Sequence, residues 1–204
     1  MNNTTADYEN KTRAYLDNVS RLAYDLNEDR IEEIVSLLDE VTQKGNIIFI
    51  CGNGGSFLTA LHFATDLTKC ISDYVPYREK GPTVSPRVRV LGENIGVLTA
   101  FSNDIDYAYA LSSELENWSD VGDALICISA SGESKNILKA AQVAGTRAIH
   151  IITLTGKPNN TLDKHADIYI NVGTDDTQEA EDIHSIACHA IFRALLQRVK
   201  ERYP

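Results

Sequence analysis

The apolar positions change their period at Gly45. Before it they recur at helical spacing: Tyr15, Val19, Leu22 and Leu26 mark one amphipathic helix, and Ile31, Ile34, Val35, Leu38 and Val41 mark a second. Gly45 is placed to end that second helix. Beyond it, Asn46–Cys51 is a short continuous apolar run of the kind found in strands covered on both faces. The unit then returns, with strands expected over Arg87–Leu91, Ala124–Ile128, Ala148–Thr153 and Ile168–Val172. Helices are expected over 57–68, 95–103, 104–118 and 134–144, and a last one from about Gln178 to Arg202. This alternation predicts an α/β three-layer sandwich, a five-stranded parallel sheet with helices on both faces, preceded by two N-terminal helices. No linker-like tract divides the chain, so residues 1–204 are expected to form one domain: a helical segment over 1–45 and an α/β core over 46–204.

The length of 204 residues suits one well-packed core. An apolar fraction of 43% with 24% charged residues sits at the globular average and excludes wholesale disorder. Charge changes the picture more. There are 19 Lys and Arg against 29 Asp and Glu, a net charge of −10, which argues against nucleic-acid backbones and anionic membranes as partners. A single small anion is still allowed, because backbone amides at a helix start can hold it without a basic surface. The four cysteines (Cys51, Cys70, Cys127 and Cys188) show no C-x-x-C spacing, so neither a cysteine zinc site nor a disulfide framework is expected. Residues 1–7 lack the basic start and apolar stretch of a signal peptide, and no apolar run approaches the length of a membrane span. A cytoplasmic protein is the expectation.

In parallel sheets of this kind, ligands bind beyond the carboxyl ends of the strands. The loop after strand one, Gly52-Asn53-Gly54-Gly55-Ser56, lets the backbone approach a ligand closely. It is neither the dinucleotide pattern G-x-G-x-x-G nor a Walker loop, and three glycines can also serve a tight turn. The loop after strand three, Ser129-Ala130-Ser131-Gly132-Glu133-Ser134, offers three hydroxyls and several amides at a helix start. One capping role needs one serine, so the other two suggest a neutral phosphate cradle. Two titratable sets follow. His62 and Asp66 share a helix face at i, i+4, a spacing that is commonly a surface pair. The last helix opens on Asp175, Asp176, Glu179, Glu181 and Asp182, acids expected there from the helix dipole and mostly solvated. It also carries His184 and His189, which point to different faces. Two histidines with carboxylates can bind zinc or serve as acid and base; spacing does not choose between the histidines.

Taken together, Cys51-Gly52-Asn53-Gly54-Gly55-Ser56, His62-Phe63-Ala64-x-Asp66-Leu67, Asn103-Asp104, Ser129-x-Ser131-Gly132-x-Ser134 and Leu154-Thr155-Gly156-Lys157 resemble the phosphoheptose isomerases of the sugar-isomerase (SIS) domain family, in order from about residue 45 to 195. The resemblance implies a SIS fold and conversion of sedoheptulose 7-phosphate to a D-glycero-D-manno-heptose 7-phosphate. It also implies a homotetramer with sites between subunits. By position, Ser129, Ala130, Ser131 and Ser134 would hold the phosphate. Asn53, Gly54, Gly55, Ser56, Asn103, Asp104, Asp66 and Glu181 would contact the sugar, and one zinc ion per site would sit at His62, Asp66, Glu181 and His189. The resemblance selects His189 over His184. Three positions depart from the family's pattern: Asp66 stands for Glu, Glu181 for Gln and Ala130 for Thr. The aspartate retracts its carboxylate by roughly 1.5 Å.

The reaction expected is an enediol isomerisation with Asp66 as base and His189 as acid, although Asp66 can equally be a metal ligand. Two alternatives differ in class. One is a SIS-domain isomerase of another phosphosugar, separable by a panel of five- to seven-carbon phosphates. The other is a non-catalytic SIS-domain partner of a replication initiator, which would show neither metal nor turnover.

Overall fold

Residues 4–70 and 86–202 are described by the computed structural model. Two helices lead, α1 (Thr4–Tyr24) and α2 (Glu28–Gln43). Asn27 starts α2 by accepting the Arg30 amide at 3.0 Å. The helix closes where the amides of Gly45 and Asn46 bond back to the carbonyls of Thr42 and Val41, as the glycine there anticipates. The core follows as β1 (Ile47–Cys51), α3 (Gly55–Thr65), β2 (Arg87–Val90), α4 (Ile95–Asp104), α5 (Tyr107–Trp118), β3 (Ala124–Ser129), α6 (Lys135–Thr146), β4 (His150–Thr155), β5 (Ile168–Asn171) and α7 (Thr177–Arg202). α3 passes directly into one π-helical turn, Asp66–Cys70, and a 3-10 turn, Leu162–His165, lies between β4 and β5.

The strands form one parallel sheet in the order β2-β1-β3-β4-β5. Successive residues of a strand point to opposite faces, and two apolar layers result. Ile48 and Ile50 of β1 join Ile34 and Leu38 of α2, Phe63 of α3 and Ile191 and Leu195 of α7 on one side. Phe49 and Cys51 join Leu111 and Leu115 of α5 and Ile137 of α6 on the other. β3 is buried along its whole length, which accounts for its unbroken apolar run. Chain direction across the sheet reverses between β1 and β3, so the loops after these two strands flank the crevice where such sheets take ligands.

Most boundaries shift by one or two residues from the sequence expectation, and two of the shifts have a visible cause. β4 begins at His150 rather than Ala148, because Ala148 turns with a φ of +54° while its carbonyl accepts the Gly122 amide. The fifth helix begins at Tyr107, because Asp106 caps it by accepting the Ala108 amide at 2.8 Å. Asn103 and Asp104 therefore end α4. Among the described residues no helix is long and apolar enough to cross a membrane.

Candidate active site

The glycine and serine loops meet over the carboxyl ends of β1 and β3, around a cavity of about 220 Å³. Asn53, Ser56, Ser129, Ala130, Ser131 and Ser134 line it, together with Thr177 and Glu181 from the start of α7. Gly54 precedes α3 with a φ of +54°, a conformation that side-chain-bearing residues rarely adopt. The Glu181 carboxylate rests against Gly55, where a Cβ would lie 2.5 Å from its Oε2 and would push that side chain aside.

The hydroxyls of the serine loop are arranged as donors. Ser129 Oγ accepts the Gly132 amide at 3.1 Å, and Ser131 Oγ accepts the Glu133 amide at 3.2 Å. Each keeps its O–H for a ligand. Ser134 occupies the N-cap of α6 without making a side-chain capping bond, so its hydroxyl is not used as a cap. Donor hydroxyls at a helix start suit a phosphate. The Glu181 carboxylate accepts hydrogen bonds and repels phosphate oxygens, so it suits a sugar hydroxyl or a cation.

α3 and α7 run side by side away from this cavity. Thr59 and Ser185 hydroxyls lie 3.4 Å apart one turn along, and the rings of His62 and His189 pack edge to face with centroids 5.0 Å apart beyond them. Oδ2 of Asp66 lies 3.6 Å from His62 Nε2 and 3.7 Å from His189 Nε2. Asp66 also opens the π-helical turn, a rare feature that recurs at functional positions. Its side chain is 17% exposed, against 60% for His62 and 50% for His189. Ligand atoms of the three residues fall within 4.8 Å of one another, and the small cleft between them, about 10 Å³, admits one atom-sized guest. Two imidazole nitrogens and a carboxylate oxygen form a donor set that fits zinc with open positions. Cys188 borders the cleft, but burial pushes its thiol up to about 12, so it remains protonated.

Sequence and structure correspond unevenly here. His62, Asp66 and His189 come together, as do the glycine and serine loops. Glu181 lies on the serine cavity, outside the His–Asp group. Asn103 and Asp104 are exposed at the end of α4, with Asn103 Nδ2 donating to Asp104 Oδ1 at 2.8 Å, and they do not line that cavity. His184 is fully buried on the opposite side of α7 from His189, and neither of its ring nitrogens has a hydrogen-bond partner among the described residues. Burial lowers it to about 4, only partly offset by the Thr155 carbonyl and Asp163. Of the acids opening α7, Asp175, Asp176 and Asp182 are exposed, as the dipole argument suggested, and Glu179 is the exception. Asp176 accepts the amides of Gln178 and Glu179, Glu179 is buried and bonded to Asn18 and Thr174, and Asp182 accepts from Tyr15 at 2.5 Å.

A clamp joins the two ligand loops, and motif reading missed two of its three members. Asn53 and Asn136 exchange amide hydrogen bonds at 3.0 and 2.9 Å, and the Tyr107 hydroxyl donates to Asn53 Oδ1 at 2.8 Å. Nothing in the local sequence marks Asn136 or Tyr107, since each finds its partner only across the fold. Thr177 also lines the cavity, and its place at the start of an acid-rich helix is the one signal of it in the sequence.

Residues 7–156 match the family model of the SIS domain. The chain is 35% identical to the phosphoheptose isomerase of Serratia proteamaculans over 174 residues, 84% of each chain. It is 32% identical to that of Campylobacter concisus over 165 residues, 81% of this chain and 83% of the other. The structure of a phosphoheptose isomerase from Francisella tularensis superposes with a TM-score of 0.82 at 23% identity, covering 95% of this chain and 99% of the other.

Proposed function

The chain belongs to the SIS-domain family, within its phosphoheptose isomerase group, and on that premise we propose that it converts sedoheptulose 7-phosphate to D-glycero-D-manno-heptose 7-phosphate through an enediol. It is a phosphosugar aldose–ketose isomerase; the seven-carbon substrate and the route are inferred. One observation carries the reading: a donor-lined phosphate cradle and a His–Asp cluster lie at two ends of the same α3–α7 seam. From Glu181 to His189 the helix advances about 12 Å. An extended heptulose phosphate spans on the order of 10 Å from phosphorus to C1, with carbon–carbon bonds near 1.5 Å. A phosphate on Ser129, Ser131 and Ser134 therefore brings C1 and C2 toward Asp66 and His189.

Oδ2 of Asp66 faces both histidines, which leaves Oδ1 to take a proton from C1 of the ketose. His189, whose Nε2 faces Asp66, gives a proton from Nδ1 to the carbonyl oxygen on C2, producing the enediol. Return of the carbon proton to C2 and loss of the O1 proton yield the aldose. His62, Asp66 and His189 would hold one zinc ion per site, which when bound supplies Lewis-acid polarisation of the substrate oxygens, while Glu181, on the serine cavity, would contact the sugar. Asp66 is thus both base and ligand in this scheme, one oxygen for each task.

Assembly as a homotetramer with sites between subunits is supported by apolar surface beside these helices. No residue of α4 is buried although the helix is mostly apolar, and Leu58 on α3, Ile95 and Ile105 are 66%, 71% and 63% exposed. The test of the reaction is formation of aldose from sedoheptulose 7-phosphate with and without a chelator. An Asp66→Asn enzyme with full activity would contradict the assignment of the base.

A further inference from the structure

The two internal bonds of the serine loop are not all that holds it. Its carbonyls and one side chain are tied to the segment after β4: Ala130 O accepts the amides of Gly156 and Lys157 at 3.1 and 2.9 Å, Gly132 O accepts that of Leu162 at 3.1 Å, and Glu133 Oε1 accepts that of Thr161 at 2.7 Å. Gly132, at a φ of +64°, rests directly on the Asn160 side chain, and a Cβ there would lie 2.4 Å from that amide. The segment 156–162 is therefore the mould against which Ser129–Ser134 is formed.

That mould is organised around one carboxylate. Asp163 accepts from Thr153 Oγ1 at 2.7 Å, from Thr155 Oγ1 at 2.8 Å, from Asn160 Nδ2 at 2.6 Å and from Asn171 Nδ2 at 3.0 Å. Its own amide donates to Asn160 Oδ1 at 2.9 Å. Thr153, Thr155 and Asn160 are buried, so these bonds form where an unpaired partner would be costly. Asp163 lines neither the serine cavity nor the His–Asp cleft.

We propose that Asp163 is a positioning residue for phosphate binding, acting through Asn160 and the 156–162 segment to fix the serine loop in its donor geometry. This rests on Ser129–Ser134 being the phosphate site. The acid–base pair sits on the π-helical turn after α3 and on α7, outside this network, so Asp163 governs substrate capture and not the chemical step. Most polar clusters beneath a loop act only on stability; this one is distinguished by its direct contact with Gly132.

The test is Asp163→Asn, which keeps the shape but places an NH2 among donors. KM for the sugar phosphate and the inhibition constant of inorganic phosphate should both rise about tenfold, the worth of one hydrogen bond, while kcat changes less than threefold. Asn160→Ser, a milder change, should shift the same two constants in the same direction. Ile170→Val, a core change in the neighbouring strand, should lower stability and move neither constant. Variants that lose stability while both constants stay at the wild-type value overturn the proposal, as does a loss confined to kcat. Wild-type protein that shows neither turnover nor phosphate binding would refute the phosphate site itself. Normal wild-type binding with unchanged variants would refute only the role of Asp163.

Discussion

The carboxylate of Asp66, in the π-helical turn that continues α3, lies 3.7 Å from Nε2 of His189 on α7, although the two segments come from opposite ends of the α/β core. The contact joins a mostly shielded acid to a half-exposed imidazole. Replacing Asp66 with Asn keeps size and removes charge, so kcat should fall at least about 100-fold with the fold intact, within the range of a lost acid–base group. Steady-state kinetics alongside circular dichroism checks this.

The His–Asp group predicts metal affinity as well as activity. His62→Ala should weaken zinc binding by at least about tenfold, measured by competition with a chromophoric chelator, since even outer-shell changes cost that much. Glu181→Ala should leave zinc binding unchanged and raise KM, because that residue lies on the serine cavity beside Gly55 and outside the His–Asp group. Weaker zinc binding in this variant would contradict that placement.

Ser134 caps no amide of α6, so its hydroxyl should contribute directly to phosphate binding. Ser134→Ala should raise KM by about five- to tenfold and leave kcat and thermal stability nearly unchanged, the pattern of one lost hydrogen bond. A serine that served as a cap would instead lower stability by about 1 kcal/mol.

His184 gives the fold an acid-sensitive point. Its folded value, about 4, lies below the ordinary 6.5, so the unfolded chain binds the proton more readily. The resulting stability is present above pH 6.5 and is lost as the pH falls from 6.5 toward 4, up to about 3 kcal/mol in total. Urea denaturation of chelator-treated protein across this window should show the decline. His184→Leu should flatten it, because that variant leaves nothing to protonate at the site.

Much of this was legible in the chain. β1 and β3 declared themselves because a strand buried on both faces must be apolar throughout, and the glycine and serine loops followed from their position after those strands. His62 and Asp66 needed only the helical repeat. Side chains whose partners lie far along the chain were not legible. Asn136 looks like any polar residue in the first turn of a helix until Asn53 meets it. Glu179 reads as a dipole-favoured surface acid, yet Asn18 and Thr174 bind it in a buried position. His184 and His189 are equivalent by composition, and only the packing of α7 puts one against β4 and the other beside Asp66.

The most direct measurement is the conversion of sedoheptulose 7-phosphate by purified protein, followed by NMR detection of the aldose 7-phosphate, for wild type and Asp66→Asn. The geometry predicts turnover by the wild type that drops on zinc chelation, and about 100-fold less by the variant. Folded wild-type protein that forms no aldose, or a variant as active as the wild type, would contradict it.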